Sequence, residues 1–299
     1  MARSFPPDVL ILDSDGLVHA RLARGKKDPQ VQQVKAYRLP EGTFAPAVVT
    51  PELANEAAMA EVLRRLKLEA GRINRVSVLL PDGWFRMNIF ELQSSLPERA
   101  DEADAMIRWS LKRTMPIDPA MLRVTYNVLD KTGGHPKVLV ISAVEKTLAA
   151  IERVFAAADI EVVLIEPIGL NIWNAVAVRE QATTRDRVFF YIRDGDFTTA
   201  VFRGSQPLFI RSRNLNSQRT LQQEIKLSAS YLRDTLQTPS FEQCYLAGNH
   251  VNGELSAEIG AEFGAPVRRV NLRDCVEQAP SEAMPFEAEL TAATGVFTG

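Results

Sequence analysis

The sequence predicts an α/β protein made of two similar lobes, with a small α+β unit inserted in the first. Three observations carry this expectation. A β-β-β-α-β order of elements near the N-terminus recurs about a hundred residues beyond its first occurrence. The stretch between the two copies has a strand, helix and hairpin pattern of its own. The 299 residues, 46% of them hydrophobic, suffice for about two ordinary cores.

Val9-Leu10-Ile11-Leu12 is a short apolar run of buried-strand type, broken by Asp13-Ser14-Asp15-Gly16. A second strand is expected from Leu17 to Leu22. After the turn residues Gly25 to Pro29 comes a third, Val31 to Leu39. Thr50-Pro51-Glu52 offers an N-cap, a proline fit for the first helical turn and an early acid. Met59, Val62, Leu63, Leu66 and Ala70 then recur at helical spacing up to Gly71. Val76 to Leu80 is a strand that Pro81-Asp82-Gly83 stops.

The second copy has strands at Arg187 to Arg193, Phe197 to Arg203 and Leu208 to Leu215, turning at Asp194-Gly195-Asp196 and Gly204-Ser205-Gln206-Pro207. A helix follows with Leu221, Ile225, Ala229, Leu232 and Leu236 on one face, ended by Pro239. Phe241 to Leu246 is again a strand, closed by Ala247-Gly248-Asn249. Between the copies, Phe85 to Leu92 reads as a strand and Glu98 to Met115 as a helix ended by Pro116. Met121 to Leu129 and Pro136 to Ala143 flank the hairpin turn 130–134. Thr147 to Ala158 is an amphipathic helix before a strand from Ile160 to Ile165, and Pro167 to Val178 a helix returning to the first lobe. The expected boundaries are 1–83 with 162–185 for the first lobe, 84–161 for the insertion and 186–299 for the second lobe.

Lys and Arg number 35 against 37 Asp and Glu, a formal charge of −2, which gives no bulk attraction to nucleic acid. The two cysteines, Cys244 and Cys275, form no paired motif and the three histidines are scattered, so no metal site is expected. Met1 to Asp8 lacks the apolar core of a secretion signal, and no apolar run reaches the ~20 residues that span a bilayer. A cytoplasmic protein is expected, touching a membrane only through partners.

The run from Trp84 to Leu129, with Trp109, Met115-Pro116-Ile117 and Tyr126-Asn127-Val128-Leu129, resembles the inserted subdomain of the type IV pilus assembly protein PilM family. Val138 to Ala143 with Thr147 to Asp159, Val163 to Pro167 with Leu170-Asn171, Gly204 to Phe209 and Tyr245 to Asn249 resemble later parts of that family in the same order. The resemblance implies an actin-like fold related to FtsA, with two RNase H-like lobes and an inserted subdomain; the sequence departs from the family where the helix from Thr220 runs directly into the strand at Phe241, which leaves no room for the family's second-lobe subdomain. The GspL cytoplasmic domain is a cousin; GspL would continue into a membrane helix, which the sequence through Gly299 lacks. The implied function is that of a scaffold on the inner-membrane face, binding the cytoplasmic tail of a PilN-like partner and other pilus or secretion assembly proteins, with self-association open. Ile107, Leu111, Met115 and Ile117 are the expected partner groove, suited to strand addition or groove docking.

The resemblance also places an ATP site between two Asp-Gly turns and a third, Gly-rich turn. Asp13, Ser14, Asp15, Asp194, Gly195, Thr198, Gly248 and Asn249 stand at those places, and they depart from the family pattern. Asp15 would set a carboxylate against a triphosphate. Ile192 stands where the family has Asp, and Asp194 where it has Gly. Loss of ATP and Mg binding, and a pseudo-ATPase, are therefore expected. The alternatives are a working PilM-type nucleotide site, or a haloacid-dehalogenase-like phosphatase. In the latter Asp13 would be the nucleophile, Asp15 the proton shuttle, and Asp194 and Asp196 the magnesium ligands. That fold needs a helix and parallel strands after its first motif; a meander is read here, so these acids read first as turn residues.

Overall fold

A computed structural model of the chain describes residues 5–47, 49–113, 115, 117–130, 135–180, 184–193, 195–204, 206–215, 220–236, 240–249 and 251–298. Its first strand, β1 (Asp8–Leu12), is buried at every position, which a strand can be only when both faces of its sheet are covered. β1 pairs antiparallel with β2 (Gly16–Ala23), which pairs with β3 (Gln30–Arg38). A two-stranded ribbon, β4 (Phe44–Ala45) and β5 (Glu52–Leu53), leads to α1 (Glu56–Ala70) and then β6 (Arg75–Leu80), parallel to β1.

α1 buries Met59, Val62, Leu63, Leu66 and Ala70, the face that the spacing predicts. Its cap differs. Asn55 accepts from the Ala58 amide, and Thr50-Pro51-Glu52 lies earlier, in the ribbon. Thr50 instead joins two units. Its hydroxyl donates to the Trp84 carbonyl (2.7 Å) and accepts from the Val144 amide (3.0 Å).

The insertion comprises β7 (Arg86–Glu91), α2 (Ala100–Lys112), β8 (Leu122–Asp130) and β9 (Lys137–Val144), its sheet ordered β7-β9-β8. α3 (Glu145–Ala157) and β10 (Glu161–Pro167) follow, then α4 (Ile168–Ala177). The expected insertion of 84–161 is too long. Leu148, Ile151, Val154 and Phe155 of α3 join the main core with α1, and β10 is the edge strand of the first sheet, parallel to β6. An amphipathic helix states that it needs a core, not which one.

The second lobe runs β11 (Asp186–Arg193), β12 (Asp196–Arg203), β13 (Gln206–Asn214), α5 (Leu221–Leu236), β14 (Gln243–Gly248), α6 (Gly253–Phe263), β15 (Val267–Arg269) and α7 (Glu287–Thr298). Its sheet order, β13-β12-β11-β14-β15, repeats the first sheet read as β3-β2-β1-β6-β10. Only residues 237–242 link α5 to β14, so no subdomain lies between them. The expected turns at 131–134 and Pro116 fall outside the described residues.

Each lobe gives its last helix to the other. Trp173 of α4 stacks on Phe202 of the second sheet, with ring centroids 4.1 Å apart and planes 14° apart, and meets Phe189 and Tyr245 edge-on or tilted. α7 packs on β1, β2 and β6, and its Leu290, Ala293 and Val296 enter the main core. The helices α4 and α7 cross where a Cβ on Gly295 would stand 1.8 Å from the Asn171 carbonyl oxygen. Only glycine permits that approach. Among the described residues no helix is long and apolar enough to cross a membrane.

Candidate functional site

The β1–β2 and β11–β12 turns meet across the cleft between the lobes. In the first, the Ser14 amide donates to Asp13 Oδ1 (2.6 Å), and the Leu39 amide to the Asp15 carbonyl (2.8 Å). Asp13 and Ser14 line an open cleft of about 630 Å³. Asp15 does not line it; it borders a neighbouring cavity of about 490 Å³. The expectation that Asp15 sets the charge of the cleft is therefore corrected: the turn's hydrogen bonds put Asp13 there.

In the second turn Asp194 lies outside the described residues. Gly195 has φ +76° and accepts from the Leu215 amide. The residue before the turn makes the decisive contact. Arg193, at the end of β11, brings Nη2 to 3.0 Å from Asp13 Oδ2 and Nη1 to 3.1 Å from Glu289 Oε1 of α7. Its side chain is only 14% exposed, with the Tyr191 hydroxyl beside it. The charges around it hold the guanidinium firmly in its charged form against the cost of burial.

Two further acids complete this centre. Asp196, at the start of β12, accepts from the Gly83 amide and from Asn214 Nδ2 (3.3 Å). Burial, and next the charge of Asp13, push its carboxyl up to about 6. Asp82, fully buried after β6, accepts from the Gly169 amide at the start of α4 (2.7 Å), and burial pushes it up to about 7. Thr198, buried beside it on β12, donates to Ser212 Oγ at 3.1 Å. Reading the sequence missed Arg193, Asp82 and Glu289. Arg193 directly precedes the Asp194-Gly195 turn, and Asp82 sits in a Pro-Asp-Gly step that reads as a strand stop.

The third turn serves the sheet. Gly248 has φ +119°, and a Cβ there would lie 1.7 Å from the Ile192 carbonyl oxygen, which accepts from the Asn249 amide at 2.9 Å. The cavity beside Gly248 measures about 30 Å³, room for water but not for a nucleoside. Among the described residues no group of three His, Cys, Asp or Glu is placed to hold a metal ion.

The phosphatase alternative meets a different topology. After Asp13-Ser14-Asp15-Gly16 the chain enters β2, antiparallel to β1, with no helix.

The expected partner groove is also corrected in part. Ile107 and Leu111 are fully buried against Leu92, Val138 and Val140, forming the insertion's own core. Met115 is half-buried, its Sδ 3.9 Å from Ser142 Oγ, and Ile117 is half-buried in the turn after α2. An open groove of about 690 Å³ lies instead between α2 and the end of β7, bordered by Phe90, Met106, Trp109 and Arg113. Trp109 is 57% exposed, and the Arg113 guanidinium stands 5.6 Å from its ring centre.

Against known proteins, no family model matches the sequence, and no curated protein matches it. The structure is similar to a chain of the PilM-PilN type IV pilus biogenesis complex, with TM-score 0.81 and 18% identity, over 99% of this chain and 98% of that one. The fold is actin-like. A Bacteroides thetaiotaomicron protein with an actin-like ATPase fold matches at TM-score 0.56 and 12% identity, over 95% of this chain and 96% of that one. The cytoplasmic domain of EpsL, an inner-membrane component of the type II secretion system of Vibrio cholerae, matches at TM-score 0.53 and 11% identity, over 98% and 94%. The actin-like frame identifies the Asp13 and Gly195 turns as the pair facing each other across the interlobe cleft, with the Arg193 clasp between them.

Proposed function

We propose that the chain is a cytoplasmic adaptor of a type IV pilus or related secretion machine, which binds a short tail of a PilN-like inner-membrane protein and works without nucleotide. The observation that carries this reading is the Arg193 clasp. In an actin-like frame the two turns hold the phosphates of ATP, and here a protein guanidinium neutralised by Asp13 and Glu289 stands between them. A triphosphate would have to break two buried ion pairs and face the carboxylates left behind, an unfavourable exchange. The small cavity beside Gly248 supports the same reading.

Partner binding has support of two kinds. The likeness to PilM from the PilM-PilN complex extends over 99% of the chain, and the insertion carries an aromatic groove beside the end of β7, the edge strand of its sheet. A groove with an exposed Trp, a Phe and a Met suits an apolar anchor of an extended or helical tail. The test is calorimetric titration of the protein, and of Trp109→Ala, with a synthetic tail peptide of the PilN-like protein encoded by the same genome. Binding that weakens about tenfold or more in Trp109→Ala, with unchanged thermal unfolding, is expected. Absence of binding by the wild type would overturn the partner assignment, and equal binding by both proteins would remove the peptide from this groove.

A further inference from the structure

The first lobe ends, on the side away from the cleft, in a basic surface that neither the clasp nor the insertion's groove uses. Leu68, in the last turn of α1, is 72% exposed, the most exposed large apolar side chain among the described residues. Arg64 stands one turn before it, and Arg72 follows the helix end. The turn between β2 and β3 adds Arg24, Lys26 and Lys27 at the same end. Arg21, near the close of β2, ties the two together by donating to the Ala70 carbonyl at 3.2 Å and the Arg72 carbonyl at 3.3 Å. Glu277 holds the turn through its backbone, accepting from the Lys27 and Asp28 amides. Other acids at this end are taken: Asp28 lies 2.7 Å from Arg179, and Glu161 2.9 Å from Arg75. Arg24, Lys26, Lys27 and Arg72 are all exposed, and among the described residues no carboxylate pairs with their side chains.

A lone leucine is little for a protein interface, which needs a packed apolar centre. A bilayer supplies its own apolar phase, takes up a single projecting side chain at its boundary, and presents phosphates to the cations around it. We propose that this end of the first lobe binds an anionic lipid surface, with Leu68 entering the headgroup layer and Arg24, Lys26, Lys27 and Arg72 facing lipid phosphates. Such a contact is direct, where the sequence leads one to expect a membrane reached only through partners. It stands independently of the adaptor reading, since it uses neither the insertion nor the turns at the cleft.

Co-sedimentation with phosphatidylcholine vesicles, with and without about one third phosphatidylglycerol, tests it. The proteins are the wild type, a double variant Lys26→Gln with Lys27→Gln, and Leu68→Ser. All three positions are exposed, so thermal unfolding should be unchanged in both variants. The wild type should partition about tenfold or more in favour of the phosphatidylglycerol vesicles, an advantage that shrinks as salt rises. Loss of the two lysines should weaken that binding about tenfold or more, and Leu68→Ser about threefold or more. Absence of binding, or no preference for the phosphatidylglycerol vesicles, would overturn the proposal. So would a variant of either kind that binds as the wild type does, or binding to soluble polyglutamate as tight as to the vesicles.

Discussion

A guanidinium held 3.0 Å from Asp13 and 3.1 Å from Glu289, largely out of water, ties Arg193 of the second sheet to two partners on the first lobe's side, the turn after β1 and the helix α7 that packs on β1. Removing it leaves two carboxylates facing each other in a partly buried place. Arg193→Ala is expected to lower stability by about 3–5 kcal/mol in urea unfolding; a loss below about 1 kcal/mol would mean that the clasp is incidental. Asp82 allows a second test. Its native pKa near 7 lies above the ordinary 3.8, so between those values the native state keeps a proton that the unfolded chain has released. Stability should therefore fall as pH rises from about 4 to about 7, and Asp196 acts in the same direction. Asp82→Asn should flatten that slope in denaturant titrations across pH and gain on the order of 3 kcal/mol relative to wild type at pH 8. An unchanged slope would contradict the burial of Asp82 as a free carboxyl. Neither residue was legible in the sequence. An arginine at a strand end and an aspartate in a Pro-Asp-Gly step both look like solvent-facing punctuation, and only the approach of the two lobes makes them a centre.

The exchanged helices α4 and α7 depend on one close approach. Gly295→Ala would push a methyl group into the Asn171 carbonyl, so the helices must separate and loosen Trp173 from Phe202 and Tyr245. A loss of about 2–3 kcal/mol is expected in thermal or urea unfolding; a neutral effect would mean that the crossing is slack. On β14, Cys244 is fully buried and its thiol is pushed up to about 12, while burial pushes Cys275 up to about 11. Both should resist iodoacetamide at pH 8 in the native state and react fully in denaturant, as read by mass spectrometry. Rapid native labelling would show that the second lobe opens readily. Most elements were legible because periodicity and turn residues mark them: the spaced apolar residues of α1 and the three-strand meanders are examples. What periodicity leaves out is the destination of an apolar face. That is why α3 reads as part of the insertion when it belongs to the main core, and why Ile107 and Leu111 read as groove residues when they fill the insertion's own interior. Trp109 was visible in the sequence, yet its exposure depends on the rotation of α2, which no local signal fixes.

At the scale of the molecule, the duplicated order of elements carried the fold. Two sheets with the same strand order, joined by crossed helices, enclose a cleft whose deep end is tied shut by protein charges. The candidate site was half legible. The positions of the turns could be read, but the pairing that closes them joins residues from β1, β11 and α7, far apart in sequence. In the proposed adaptor this clasp would set the angle between the lobes in place of a nucleotide. The most direct test of this central claim is calorimetric titration of the wild-type protein with Mg-ATP. No saturable heat up to millimolar nucleotide is expected, with the tail peptide binding equally well in its presence and absence. Stoichiometric, saturable binding of Mg-ATP would contradict the account, because the nucleotide could enter only by displacing Arg193 from Asp13 and Glu289.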